Sequence, residues 1–340
     1  MNAIVSKIVR GQSGTPSLLK PLGMVVLLAA AVALPFLMGS AQLFSFSHAL
    51  VLGCAVTGMI LLTGFTKQIS LGQNFFLAVG AYFSAWMIND LSIPFFLAPF
   101  ISFVICYAFG YLFGLPMPGI RGTYLALVTM GLGLVTPHLI RKFEWFTGGS
   151  MGQHIGRIRA PESIMLTNDQ WLYFVCLVGF LFIAAFAKWI ERSQVGRAMK
   201  AVGDNETAAS LSGVNVRTTK SAAFAWSAAF AGFAGGLFVI LVGYVAPGSV
   251  DMFLAVYLLA ALVIGGQNRI AGALIGALFV VFVPLHTQTF SDSLSGALFG
   301  VLIIITMLLF REGIAGGLAW VLDRALKIMG LKTKSKPDVF

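Results

Sequence analysis

The chain has 340 residues, 58% of them hydrophobic and only 10% charged, with a formal net charge of +10. Soluble domains carry roughly 25% charged residues, so a chain this apolar lacks the polar surface to cover itself and its solvent is lipid over most of its length. In a membrane chain the placement of basic residues matters more than their total, and no nucleic-acid partner is expected.

Apolar runs of about 20 residues can cross a bilayer. Ten runs qualify, with somewhat shorter ones admitted: 22–39, 48–65, 73–89, 94–115, 122–140, 171–190, 221–243, 253–265, 271–286 and 293–310. The expected fold is an all-α polytopic membrane protein of about ten transmembrane helices. Residues 1–21 form a basic, polar arm with no evident cleavage site. Residues 22–312 form the membrane domain, and 313–340 a basic tail. The eighth and ninth runs are separated only by "GGQNRIAG" and read either as two spans or as one broken hairpin.

The third run opens with "ISLGQN", a poor start for a helix. Gly72 permits a break there, and Gln73 and Asn74 bring amide donors and acceptors to the edge of hydrocarbon. The fifth opens with "RGTYLALVT", carrying Thr123, Tyr124 and Thr129. Irregular backbone at membrane depth is tolerated where protein or a water-filled path satisfies it, and transporters build sites from interrupted helices. Gln73, Asn74, Tyr124 and Thr129 are therefore candidate path residues. The alternative is that they cap helix ends and bond to neighbouring spans.

Charge placement orients the chain. With the N-terminus inside and the spans alternating, 18 of the 22 basic residues and six of the 12 acidic ones fall in the cytoplasm, leaving +12 inside and −2 outside. Positive-inside asymmetry of this size favours cytoplasmic N- and C-termini. Within the spans, Gly110 with Gly114, Gly232 with Gly236, Gly272 with Gly276 and Gly296 with Gly300 repeat at the spacing that lets helix backbones approach closely. They argue for a compact bundle and are silent on its task.

Chemistry is hard to find. None of the four histidines (48, 138, 154 and 286) has an acidic partner at metalloprotease spacing, and no phosphate-binding P-loop is present. "GGSMG" at 148–152 formally matches a nucleophile elbow, but it lies in a loop without the strand and helix that the elbow requires. The three cysteines sit inside apolar runs as small core residues. No catalytic residue, metal ligand or cofactor is expected. Carriers energised by their own charges place an ionisable group in mid-membrane, and no Asp, Glu, Lys or Arg occupies the middle of any run. If transport here is uphill, its energy comes from another protein.

The longest loop, 188–220, has more structure than a linker. Asp204 or Asn205 can cap a helix whose first turn carries Glu206, favourable at the positive end of the dipole. Gly213 suits the left-handed residue that closes it. The result is a two-turn helix between basic segments, exposing the small residues Ala208 and Ala209. Being short, it is marginal alone; it is either a capped surface helix or one that docks into a partner's groove.

The block "RSQVGRAMKAVGDNETAASLSGVNVRTTKSAAFAWSAAFAGFAGGL" resembles the cytoplasmic coupling loop and following helix of LivM-type permeases, membrane subunits of branched-chain amino-acid ABC importers. "ISLGQNFFLAVGAY", "RGTYLALVTMGLG", "FTGGSMG", "VIGGQNRIAGALIGA" and "LLFREGIAGGL" are similar to that family's other blocks, in order, over roughly residues 50–320. The resemblance implies a multi-pass subunit of the bacterial inner membrane. It pairs with a second homologous permease, with two cytoplasmic ATPase subunits and with a periplasmic substrate-binding protein. It also implies that the helix at about 204–213 (Asp204, Asn205, Glu206, Ala208, Ala209, Gly213) sits on an ATPase, although the family's E-A-A…G signature is only loosely kept. The chain departs from the family's "RGDY", "GFGE" and "TGGPNG" at Thr123, Leu134, Ser150 and Met151. Two acidic positions are thereby neutral, which weakens recognition of an ammonium group. A hydrophobic amino acid is the expected solute; urea, short amides and aromatic or aliphatic carboxylates are alternatives.

Overall fold

The computed structural model describes residues 19–288 apart from 117–118, 120–121, 157, 159, 162–165 and 268, together with 300, 301, 304, 313, 314 and 316. Its elements are α1 (Leu19–Leu37), α2 (Ser40–Met59), α3 (Gln73–Asn89), α4 (Ala98–Gly114), α5 (Gly122–Lys142), α6 (Glu144–Thr147), β1 (Gln153–His154), α7 (Asn168–Arg192), α8 (Gln194–Asp204), α9 (Glu206–Leu211), α10 (Val216–Val242), β2 (Tyr244–Val245), α11 (Met252–Gly265) and α12 (Ile270–Gln288). β1 and β2 pair antiparallel, joining the loop after α6 to the end of α10.

Among the described residues six helical segments are long and apolar enough to cross a membrane: Ser40–Phe65, Tyr124–Lys142, Asn168–Arg192, Val216–Val242, Pro247–Gly265 and Ile270–Thr287. The helices at Leu28–Leu37 and Ala98–Gly114 are apolar but shorter. Most of the expected tenth span, of the C-terminal tail and of the N-terminal arm lies outside the described residues. α1 begins at Leu19, three residues before the expected boundary.

α10 is the axis of the bundle, and α2, α3 and α4 pack around it. Its sequence explains why. From Ser221 to Gly236 twelve of its sixteen residues are Ala, Gly or Ser, which removes the bulk that would hold neighbouring backbones apart between its aromatic side chains. A Cβ on Gly80 of α3 would overlap the Gly232 backbone, and one on Gly110 of α4 would overlap Ala228. Polar bonds add to this packing: Ser84 and Ser102 share a hydrogen bond of 2.8 Å, and Ser102 donates to the Gly80 carbonyl at 3.1 Å. Three of the four glycine pairs thus lie at helix contacts; the fourth, Gly296 and Gly300, falls mostly outside the described residues.

The segment expected as either two spans or a broken hairpin is two helices, α11 and α12, packed against each other. Gly265 lies on the Gly272 carbonyl and Gly276 on that of Ala261. The long loop holds more helix than expected. α7 continues to Arg192 behind a capping box of Thr167 and Gln170, and α8 follows at once, capped by Ser193. α8 forms because Gly196, Met199 and Val202 recur every three residues in an otherwise polar stretch, and that face is buried. Glu191, in ion pairs with Lys188 (2.6 Å) and Lys200 (2.9 Å), ties α7 to α8.

Candidate functional site

Bonds within the protein hold the break before α3, although the buried side-chain oxygen of Asn74 has no partner among the described residues. α2 ends in a π turn over Ile60–Phe65. The Thr66 hydroxyl then donates to the Leu62 carbonyl at 2.6 Å, and the Thr63 hydroxyl to that of Gln68 at 2.9 Å. Leu71 N–H donates to the Thr129 hydroxyl at 3.0 Å, while that hydroxyl donates to the Leu125 carbonyl at 2.9 Å. Thr129 therefore faces inward, completely buried, and staples the break to α5.

Gln73 and Asn74 are also buried. The Gln73 amide donates to the Ser227 carbonyl at 2.9 Å, and the Ser227 hydroxyl returns a bond to its oxygen at 3.2 Å. Asn74 donates to the carbonyls of Gly133 (3.1 Å), Val250 (3.3 Å) and Asp251 (3.1 Å). The Gly133 carbonyl is open to it because residue 137, four further along α5, is proline and has no N–H to give. In this arrangement both amides join helices rather than reach an open channel.

Tyr124 is different. It is 71% exposed and lies on the opposite face of α5 from Thr129. Leu127, Val128, Gly131, Leu134, Val135 and His138 continue the same face at helical spacing, all exposed. Much of α5 is left uncovered, and apart from Tyr124 and His138 this uncovered face is aliphatic or glycine, an apolar surface for lipid, a neighbouring helix or a hydrophobic solute. The polar Thr129 and Thr136, which lower its mean hydropathy, point inward. The side chain of Thr123 is outside the described residues.

α9 stands at the end of the bundle where Lys67 and the basic loop lie. Asn205, rather than Asp204, is its cap: the Asn205 oxygen accepts from Ala208 N–H at 3.0 Å. Asp204 is the last residue of α8. Gly213 is left-handed at φ 84°. Val214 N–H bonds the Ala209 carbonyl and Gly213 N–H that of Ser210, both at 3.0 Å, completing a Schellman close. Glu206 forms an ion pair of 2.6 Å with Lys220, whose side chain is only 8% exposed. That pair decides which face turns inward. Ala209, three residues from Glu206, lies on the same side and is buried, not exposed as expected. Ala208 is exposed, and so is Leu211, at 85%. The projecting leucine was missed in the sequence; a lone large apolar residue in a short polar helix was the available signal. Behind α9, Lys200 lies 4.5 Å over the Phe65 ring and Gly203 rests on the Phe65 carbonyl, seating the segment on the π turn of α2.

At the opposite end, the loop after α5 is rigidly built. Gly149 N–H bonds the Thr147 hydroxyl at 3.1 Å, Tyr244 donates to the Met151 carbonyl at 2.7 Å, and Asn89 donates to that of His154 at 2.9 Å. Trp145 and Met151 project from it, strongly exposed. Among the described residues no group of His, Cys, Asp and Glu can hold a metal ion.

Comparison with known proteins places this arrangement. A profile of the family described as "Branched-chain amino acid transport system / permease component" matches residues 48–307. The chain is 29% identical over 283 residues to the "High-affinity branched-chain amino acid transport system permease protein LivM" of Escherichia coli (strain K12), covering 76% of this chain and 66% of that protein. It is 33% identical over 114 residues to the "Ribose import permease protein RbsC" of the same strain, covering 32% of this chain and 35% of that one. It is 29% identical over 186 residues to the "Autoinducer 2 import system permease protein LsrC" of Enterobacter sp. (strain 638), covering 50% and 52%. The chain thus spans slightly under two thirds of the length of its LivM relatives, and no solved structure matches it. The matched stretch runs from within α2 through α12, taking in the break, the α5 face and α9. The chain therefore belongs to the branched-chain amino-acid transport system permease family, as a multi-pass membrane protein.

Proposed function

We propose that this chain is the transmembrane subunit of an ATP-driven ABC importer of the bacterial inner membrane, with α8 and α9 in the cytoplasm. It would pair with a second, homologous permease. Two separate ATPase subunits would hydrolyse the nucleotide, and a periplasmic binding protein would deliver solute at the end bearing Trp145 and Met151. The observation that carries this reading is α9. Its inner face is fixed to α10 by Glu206 and Lys220, while Ala208 and Leu211 face outward as a small, flat apolar contact. A helix anchored on one side and offered on the other can pass a partner's movement into the axis of the bundle.

The translocation path runs, on this reading, along the exposed face of α5 that begins with Tyr124. Gln73, Asn74 and Thr129 support it from behind by holding the break in α3 against α5. The solute is a branched-chain or other hydrophobic amino acid. In support, the similarity to LivM covers far more of the chain than that to RbsC or LsrC, whose names attach ribose and autoinducer 2 to those proteins. Urea, short amides and small aromatic or aliphatic carboxylates form the alternative set, favoured by the neutral residues Thr123 and Leu134. Thermal-shift screening of the cognate binding protein separates them, because a ligand stabilises the folded form by mass action. Stabilisation by leucine, isoleucine or valine is expected; hits only among sugars, metal chelates or lipids would overturn the solute assignment.

A further inference from the structure

A cavity of about 310 Å³ opens at the basic end of the bundle, where the end of α2, the α8–α9 corner and the start of α10 meet. Binding sites for small molecules begin at roughly this size. Its walls carry four charged residues, Lys67, Asp204, Glu206 and Lys220, which cancel to a formal charge of zero. Glu206 and Lys220 satisfy each other at 2.6 Å. Lys67 and Asp204 take part in no ion pair among the described residues.

Both side chains are exposed at the cavity, and no ion pair ties either to the local fold among the described residues. Lys67 sits in the left-handed region at φ 56°, where a residue with a side chain is uncommon. Asp204 closes α8, where the negative end of the helix dipole disfavours a carboxylate. Gln68 and the apolar side chains of Leu125 and Val202 complete the wall. A simple anion entering this space would meet two carboxylates, and a simple cation two ammonium groups. A molecule carrying one charge of each sign meets a complement for both.

We propose that this cavity binds a free zwitterionic α-amino acid, its carboxylate on Lys67 and its ammonium on Asp204. Bridging the two ties the base of α9 to the end of α2. Occupancy therefore holds the α9 segment in the arrangement described here and slows turnover from the side on which product accumulates. The regulatory part rests on the transport reading above; the binding part does not.

Binding is tested on the purified full-length chain by equilibrium dialysis with each of the twenty radiolabelled amino acids. Saturable binding of at least one is expected. Lys67→Asn and Asp204→Asn should each weaken it about tenfold or more, without lowering the melting temperature. The deaminated and amidated analogues of the bound amino acid, and inorganic phosphate, should fail to compete. No saturable binding, binding indifferent to both variants, or equal competition by phosphate would overturn the site. Regulation is then read in proteoliposomes holding the whole assembly: uptake should proceed into an empty lumen and slow when the lumen is preloaded with the bound amino acid. Uptake indifferent to preloading refutes the regulatory role, whereas no uptake even into an empty lumen refutes the transport reading instead.

Discussion

Asn74 gives its side-chain amide to the Gly133 carbonyl at 3.1 Å, replacing the helical bond that Pro137 cannot make. The two spans are therefore complementary: one starts irregularly and carries a spare donor, and the other is interrupted and carries a spare acceptor. Asn74→Leu should lower stability by about 1–2 kcal/mol, because it removes the amide from the carbonyls of Gly133, Val250 and Asp251. In a Pro137→Ala background, where the new residue supplies the missing backbone N–H to Gly133, the same change should cost less by the Gly133 share alone. Reversible unfolding of the unaltered chain, the two single variants and the double variant in detergent measures the coupling. Strictly additive effects would show that the proline and the amide act independently.

How far this was legible in the sequence depends on the range of the interactions. The α9 helix was, because Asn205, Glu206 and Gly213 act within one or two turns. The glycine contacts were too, since the spacing that brings small residues together is itself local. The roles of Gln73, Asn74 and Thr129 were not. Their partners lie as far as 177 residues along the chain, and a polar residue at a span end looks the same whether it faces a path or a neighbour. The rotation of α9 was hidden for the same reason: Ala209 turns inward because Lys220 lies behind Glu206. α8 escaped notice because its apolar residues are few and two of its eleven positions are glycine.

The Glu206–Lys220 pair should respond unequally to loss of either member. Lys220 is buried and Glu206 is 57% exposed. Glu206→Ala leaves an enclosed ammonium without a partner, whereas Lys220→Met leaves a carboxylate that water can reach. A difference on the order of 1–2 kcal/mol is expected, with Glu206→Ala the more destabilising. Hydrogen exchange over 204–214 should rise more in that variant. Equal effects would mean that Lys220 is better hydrated than its burial implies.

The outer and inner faces of α9 should separate cleanly. Ala208→Arg and Leu211→Asp alter exposed positions and should leave the melting temperature within a degree or two, since surface changes rarely exceed about 0.5 kcal/mol. Both should abolish stimulation of the ATPase subunits. Ala209→Arg forces a charge into a buried site and should instead lower stability of the chain itself. Normal ATPase coupling in an Ala208→Arg, Leu211→Asp double variant would refute docking through this face.

The path along α5 can be probed with cysteine, since Cys54, Cys106 and Cys176 are all buried and free. In the assembled transporter, L134C and V128C should react with a membrane-impermeant thiol reagent in a manner altered by ATP. L112C, exposed on α4 and away from the α5 face, should not. Equal labelling at α4 and α5, or none on α5 in any nucleotide state, would place the path elsewhere.

The central claim is that this chain moves solute only when an ATPase acts on it through α9. It is tested most directly by solute uptake into proteoliposomes containing the chain, its second permease and the binding protein, with and without the ATPase subunits. The account predicts uptake only with ATPase subunits and ATP together, and its loss when Ala208 and Leu211 are replaced. Saturable uptake by the chain without ATP, unaffected by those replacements, would contradict it.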